Sequence, residues 1–205
     1  MIVDVKAFRA GLSSFIEAHP FGSMVLVLVV FAKAALSVIS PLSEDFLTSG
    51  VFVAELDAAT VLKGDGPYLL WMLLVRGMYS IWRILPIDHP SVESMVGFWY
   101  FIPSISSNLL IFMLKLPLLV FDIMCGYVTS RFCFAYTGSR PASFVALGLW
   151  LLNPYVTIVT EMFGSYDVIV VFFLLVSALL FVRGRILFSA FSLAFSVALK
   201  PYPIM

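Results

Sequence analysis

Charge is scarce in this sequence. Twelve Lys and Arg face twelve Asp and Glu among 205 residues, 12% in all, where a soluble domain carries roughly a quarter. The signs cancel, so the balance gives no hint of a nucleic-acid partner. Cysteine is nearly absent as well. Cys125 and Cys133 lie eight apart at the end of one apolar run, which fits neither a CxxC redox pair nor a metal set, and they read as unpaired thiols. A cleavable leader is not evident. Val3, Val5, Phe8, Leu12, Phe15 and Ile16 recur at near-helical spacing beside Lys6, Arg9 and Glu17, which suits an interfacial amphipathic helix better than a signal. What abounds is apolar: 62% hydrophobic residues and a mean hydropathy of +1.08. Residues 1–205 are therefore expected to form a single all-α, polytopic transmembrane domain.

Apolar runs place the expected spans at 21–39, 108–128, 143–160, 167–182 and 186–199. The last two are short for a bilayer that wants about 20 residues, and suit tilted or wedged helices inside a bundle. Lys6 and Arg9 precede the first span, Arg131 and Arg140 follow the second, and Arg183 with Arg185 separate the last two. The positive-inside rule makes that side, and the N-terminus, cytoplasmic. The segment 41–107 and the Thr160–Tyr166 turn are then extracytoplasmic, as is Lys200. Lys63, Arg76 and Arg83 run against this, in a long loop where the rule is weak.

That outer loop is too long to be a plain connection. Tyr68 to Leu85 is interrupted by Arg76, Gly77 and Arg83, and with Trp71, Tyr79 and Trp82 as interfacial aromatics it suits a helix lying along the membrane surface. Asp57 and Asp65 read as solvated loop or turn residues. Asp88-His89 is a second polar centre, but two residues without further ligands are a weak metal signal.

The motifs in order resemble a family. Glu44-Asp45-Phe46 just after the first span, then Gly64-Asp65-Gly66-Pro67-Tyr68, resemble the first luminal loop of GT-C glycosyltransferases, which take sugar from a polyprenyl-phosphate carrier. Leu114-Lys115-Leu116-Pro117 followed by Asp122 resembles their next span. Leu152-Asn153-Pro154, Gly164-Ser165-Tyr166-Asp167 and Leu199-Lys200-Pro201-Tyr202-Pro203-Ile204 look like the Asn-Pro, Gly-x-x-Asp and Lys-x-Tyr-Pro segments of one branch. That branch holds the first mannosyltransferase of GPI-anchor synthesis and related prokaryotic mannosyltransferases. The resemblance implies a GT-C-like helical bundle with interfacial helices in its long first outer loop, set in a prokaryotic cell membrane or a eukaryotic endoplasmic reticulum membrane. It implies a polyprenyl- or dolichyl-phosphate mannose donor and a glycan or lipid-linked acceptor. Family members have more spans, so the chain reads as the N-terminal half of such an enzyme, completed by a further segment or a partner subunit. The family's Asp-x-Asp pattern is replaced by adjacent Glu44-Asp45, so no cofactor is assigned and a divalent metal stays open.

Such transfer needs a carboxylate for the acceptor proton and positive charge for the departing phosphate. By resemblance Asp45 is the expected base, with Glu44 its competitor. Lys200 is expected to hold the donor phosphate, or to snorkel to the interface. Asp167 starts a helix, where it either serves as a capping acid or shapes the site floor with Tyr202. Lys115 and Asp122 share one helical face seven residues apart, too far for direct contact, so each is expected to find a partner on another helix. Lys33 is expected to snorkel outward. A transporter or lipid flippase lined by Lys115 and Asp122 is the alternative, and a non-catalytic subunit of a membrane enzyme is a third reading. A carboxylate pair in a long outer loop is what an enzyme needs and a transporter does not.

Overall fold

Helix ends in this chain fall where its prolines, glycines and short polar side chains lie. A computed structural model describes residues 20–39, 69–87 and 105–200, and all regular structure among them is helical. Helix α1 spans Pro20–Ile39, with proline at its first position, where a missing N–H costs nothing. Helix α2 is Leu69–Ile84 and α3 is Ile105–Thr137. α3 has 33 residues, about 50 Å at 1.5 Å per residue. It stops at Gly138, whose φ of 67° is the left-handed conformation that closes helices. Ser139 then caps α4 (Arg140–Leu151) by accepting from the Ala142 N–H, with Pro141 in the first turn.

The expected span 143–160 is broken. α4 ends at Leu151, and Asn153 Oδ1 accepts from the N–H groups of Tyr155 (2.9 Å) and Val156 (3.4 Å). That cap starts a short turn, α5 (Pro154–Thr157), which runs into a π-helical turn over Ile158–Met162. The axis bends by 43° at the break. The physical cause is local: proline cannot continue the ladder of α4, and an Asn-Pro pair is a cap followed by a first helical residue. We expect Asn153→Ala to lose about 1 kcal/mol in reversible unfolding in detergent, and Asn153→Ser to keep most of it. Equal midpoints for wild type and Asn153→Ala would show that the break does not depend on the cap.

Gly164, at φ 72°, turns the chain into α6 (Asp167–Val182), and Gly184, at φ 71°, turns it back into α7 (Ile186–Leu199). These two helices cover the same residues as the last two apolar runs. They form a hairpin zipped by hydroxyls. Ser177 and Ser189 exchange hydroxyl-to-carbonyl bonds of 2.9 Å, Ser192 donates to the Phe173 carbonyl and Ser196 to the Val170 carbonyl. Positions 189, 192 and 196 share one face of α7, and small side chains there let the two backbones approach.

α3 is the central element: α1, α2, α4 and α6 all pack on it. Over Leu109–Thr137 it is long and apolar enough to cross a bilayer; α4 with α5 and the π turn passes the same test if the bent pair counts as one span. α1, α6 and α7 are apolar but shorter. The core joins Leu110, Leu114, Leu118 and Cys125 of α3 to Val168, Ile169 and Val170 of α6 and Leu199 of α7. Cys125 and Cys133 are both free thiols, as expected.

α2 corrects one expectation. Trp71, Tyr79 and Trp82 are not interfacial anchors but core residues: with Val75 they form one buried stripe. Their spacing of four, four and three puts all of them on one helical face. Each tryptophan buried in protein removes more apolar area than one at an interface.

Candidate functional site

Two polar centres are built on this frame. The first lies inside the bundle. Lys33 of α1 is 2% exposed and Asp122 of α3 fully buried; Lys33 Nζ lies 2.9 Å from Asp122 Oδ2 and 3.3 Å from Glu161 Oε2 in the π turn. The indole N–H of Trp150 donates to the other Asp122 oxygen at 2.9 Å. Gly126, one turn further along α3, makes that reach feasible, because a Cβ there would come within 3.2 Å of both Leu147 and Trp150. Lys115 Nζ donates to the carbonyl oxygens of Glu161 and Met162, each at 2.9 Å.

The π turn explains those last two bonds. A wider turn shifts the helical hydrogen-bond register: Phe163 N–H reaches back to Ile158 and Ser165 N–H to Val159. The carbonyls of Glu161 and Met162 then receive a lysine side chain, as π-helical turns at polar sites often allow. Lys33 is thus the second correction. It does not snorkel outward, because two carboxylates inside the bundle pair with its ammonium. Lys115 and Asp122 each find partners on other segments, as expected, and none between themselves is needed.

The second centre sits where α6 starts and α7 ends. Lys200 Nζ is 2.5 Å from Asp167 Oδ1, with the two side chains 31% and 38% exposed. The same Nζ lies 5.0 Å from the centroid of the Tyr166 ring, and that ring stacks on Trp71 of α2 at 6.0 Å. Asp167 is no side-chain cap. It sits in the first turn of α6, where the helix dipole favours a carboxylate, and its oxygen is given to Lys200. The turn Gly164-Ser165-Tyr166 makes this geometry, since the left-handed glycine lets Tyr166 lie under the lysine.

Of the expected site residues, Lys200 and Asp167 are brought together. Glu44, Asp45 and Tyr202 lie outside the described residues, as do Asp57, Asp65, Asp88 and His89. Among the described residues no three His, Cys, Asp or Glu side chains are grouped to hold a metal. Glu161 and Trp150 were not singled out from sequence. A charge count held the signal for Glu161: Lys33 and Lys115 in apolar runs face one acid, Asp122, and Glu161 is the only acid between residues 123 and 166. No protein-family model, curated protein or solved structure matches this chain.

Proposed function

We propose that the chain is the membrane-embedded core of a GT-C-like glycosyltransferase that takes a sugar, mannose by its motifs, from a polyprenyl-phosphate donor on the extracytoplasmic face. In this reading α1, α3, α4 with the π turn, α6 and α7 all cross the bilayer. Arg131, Arg140, Arg183 and Arg185 mark the cytoplasmic side, where the N-terminus lies. Apolar outer faces support the membrane setting, with Phe31, Leu149, Leu187, Phe188 and Phe191 all well exposed, more than a water-facing surface tolerates in contiguous patches.

The observation that carries the proposal is the Lys200–Asp167 pair seated on Tyr166 and Trp71. Two of the motifs behind the family resemblance, 33 residues apart, meet at one end of the bundle, beside a helix of the outer loop. An ammonium has three donors, and the exposure of Lys200 leaves room for a phosphate oxygen beside the Asp167 carboxylate. Asp167 holds the lysine in place, and the departing lipid phosphate gains the charge that stabilises it.

The direct test is radiolabelled mannose transfer from polyprenyl-phosphate mannose, with the intact reading frame in liposomes. Lys200→Gln is expected to raise the donor KM about tenfold or more, the worth of one charge-assisted hydrogen bond. A wild-type protein that transfers nothing would sink the mannosyl assignment.

A second reading, a transporter, is favoured by the buried Lys33–Asp122–Glu161 cluster beside a broken helix. It requires Asp122→Asn to abolish uptake into liposomes while mannose transfer plays no part.

A further inference from the structure

α1 docks on the bundle without an apolar anchor among its described side chains. Met24, Val27, Leu28 and Phe31 are exposed, and the two side chains that α1 buries are both polar, Lys33 and Ser37. Among the described residues, none of α1 belongs to the core cluster that joins α3 to α6. Ser37 directs its hydroxyl to the Lys33 carbonyl of its own helix, 3.0 Å away. Lys33 is also the one charged residue in Pro20–Ile39. The charge that this buried face offers its neighbours is therefore a single ammonium.

That ammonium meets two acids, Asp122 of α3 at 2.9 Å and Glu161 of the π turn at 3.3 Å. The two carboxyl groups are also within hydrogen-bond reach of each other. Two buried carboxyls that close favour a proton between them, because a proton on one makes it a donor to the other. The step balances without a further partner. A proton from water adds to a carboxylate oxygen of Asp122 or Glu161, an O–H bond forms, and no bond in the chain breaks. The acid pair then satisfies itself, and the Trp150 N–H still serves the other Asp122 oxygen. Lys33 fares differently. Each proton taken up removes one of its counter-charges and leaves an ammonium in a dry interior, where it is costly. Position 33 lies fewer than two turns before Ile39, so the lysine stem can carry its charge to the membrane surface.

The other groups facing the pair do not answer to acid in this way. Cys125 of α3 gives its thiol proton to the Val168 carbonyl of α6 at 3.6 Å, and Trp150 donates from α4. A thiol and an indole take up no proton as pH falls, and Lys33 already pairs as an ammonium. Lys115 is engaged by the main-chain carbonyls of Glu161 and Met162, and it is kept unchanged in every variant below.

We propose that Asp122 and Glu161 form a proton-binding site whose loading frees Lys33 and releases α1 from the bundle. The direction follows from the charges. With both carboxylates ionised α1 is docked, and as pH falls and they protonate it undocks. This site depends on the membrane setting proposed above and not on sugar transfer.

The test uses the whole chain in phosphatidylcholine nanodiscs, with Cys125→Ser and Cys133→Ser clearing the native thiols. Spin labels go on Leu28→Cys of α1 and Leu149→Cys of α4, both exposed positions. Electron–electron distances are read between about pH 8 and about pH 4, which covers carboxyl titration in buried sites. The otherwise unaltered chain is expected to give a short, narrow distance at the upper end and a longer, broad one at the lower. A second pair, Leu149→Cys with Leu187→Cys of α7, should stay constant. Asp122→Asn with Glu161→Gln copies the loaded site and should give the long distance at every pH. Adding Lys33→Met removes the charge that has to leave, and should restore the short distance at every pH. A Leu28–Leu149 distance that ignores pH in the unaltered cluster would overturn the proposal. So would a pH response that survives in the triple variant, because the proton would then act on Lys115 or elsewhere. Loss of the Leu149–Leu187 distance over the same range would mean that the whole bundle opens rather than α1, and would equally overturn it. No sugar enters these readings: a chain that releases α1 in acid but transfers no mannose would leave this site standing and remove the enzyme reading.

Discussion

Lys33→Ala is expected to destabilise the bundle by about 3–5 kcal/mol, the usual cost of removing one partner from a buried ion pair. The size comes from what is left behind. Asp122 and Glu161 both converge on Nζ of Lys33, and neither side chain is open to water. Without the ammonium, the Trp150 N–H still serves one Asp122 oxygen, but one indole cannot offset two carboxylates in a low-dielectric interior. The effect should be specific to charge. Lys33→Met combined with Asp122→Asn and Glu161→Gln keeps the volume and removes the unpaired charges, so most of the stability should return. The measurement is reversible unfolding in detergent, run as a double-mutant cycle between positions 33 and 122. Additive effects of Lys33→Met and Asp122→Asn would mean that the pair is not coupled in the folded protein. Looser docking of α1 is the expected structural consequence, because Lys33 pairs α1 with both α3 and the π turn.

Asp45→Asn should lower mannose transfer by about a hundredfold or more with expression unchanged, since general-base help is typically worth 10²–10⁴-fold. Asp45 lies outside the described residues, six beyond the end of α1 at Ile39, so the prediction stands on sequence and on the proposed reaction. In the proposed reaction the acceptor hydroxyl must lose its proton as it attacks the sugar, and a carboxylate is the group expected to take it. Glu44 is the control. If Asp45→Asn keeps its activity and Glu44→Gln loses it, the base is the neighbouring carboxylate. If both keep it, the outer-loop acids are not the base and the catalytic assignment fails. The Lys200→Gln variant distinguishes the two ends of the reaction, because a donor-phosphate contact shows first in donor KM and a base in kcat.

Much of the helical frame was legible because its signals are local. Apolar runs at 21–39, 167–182 and 186–199 coincide with helices to within a residue or so, since Pro20, Gly164 and Gly184 mark the boundaries by backbone restriction alone. The run at 108–128 was expected too short. α3 continues to Thr137, because Ser130, Arg131 and Thr137 are tolerated in a helix that has left its most apolar stretch. The run at 143–160 holds Asn153-Pro154, and the helix breaks there.

Side-chain partners are a different matter. That Lys115 and Asp122 needed partners followed from burial in an apolar run, whereas that Lys33 and Glu161 would be among them did not. Lys33 and Glu161 are separated by 128 residues, and no periodicity links them. Trp71 illustrates the same limit. A tryptophan in a broken amphipathic segment suits an interface or a core equally well by sequence, and packing against α3 and Tyr166 decides for the core.

The sequence by itself determined an apolar, helix-dominated chain with its breaks at proline and glycine, because backbone sterics and hydropathy act within a few residues. Only the tertiary structure decided that Lys33 turns inward to Asp122 and Glu161, that Lys115 caps the carbonyls of a π turn, and that Asp167 meets Lys200 over Tyr166. Those outcomes depend on which helices pack together, and a buried charge chooses its partner from whatever the packing brings within about 3 Å.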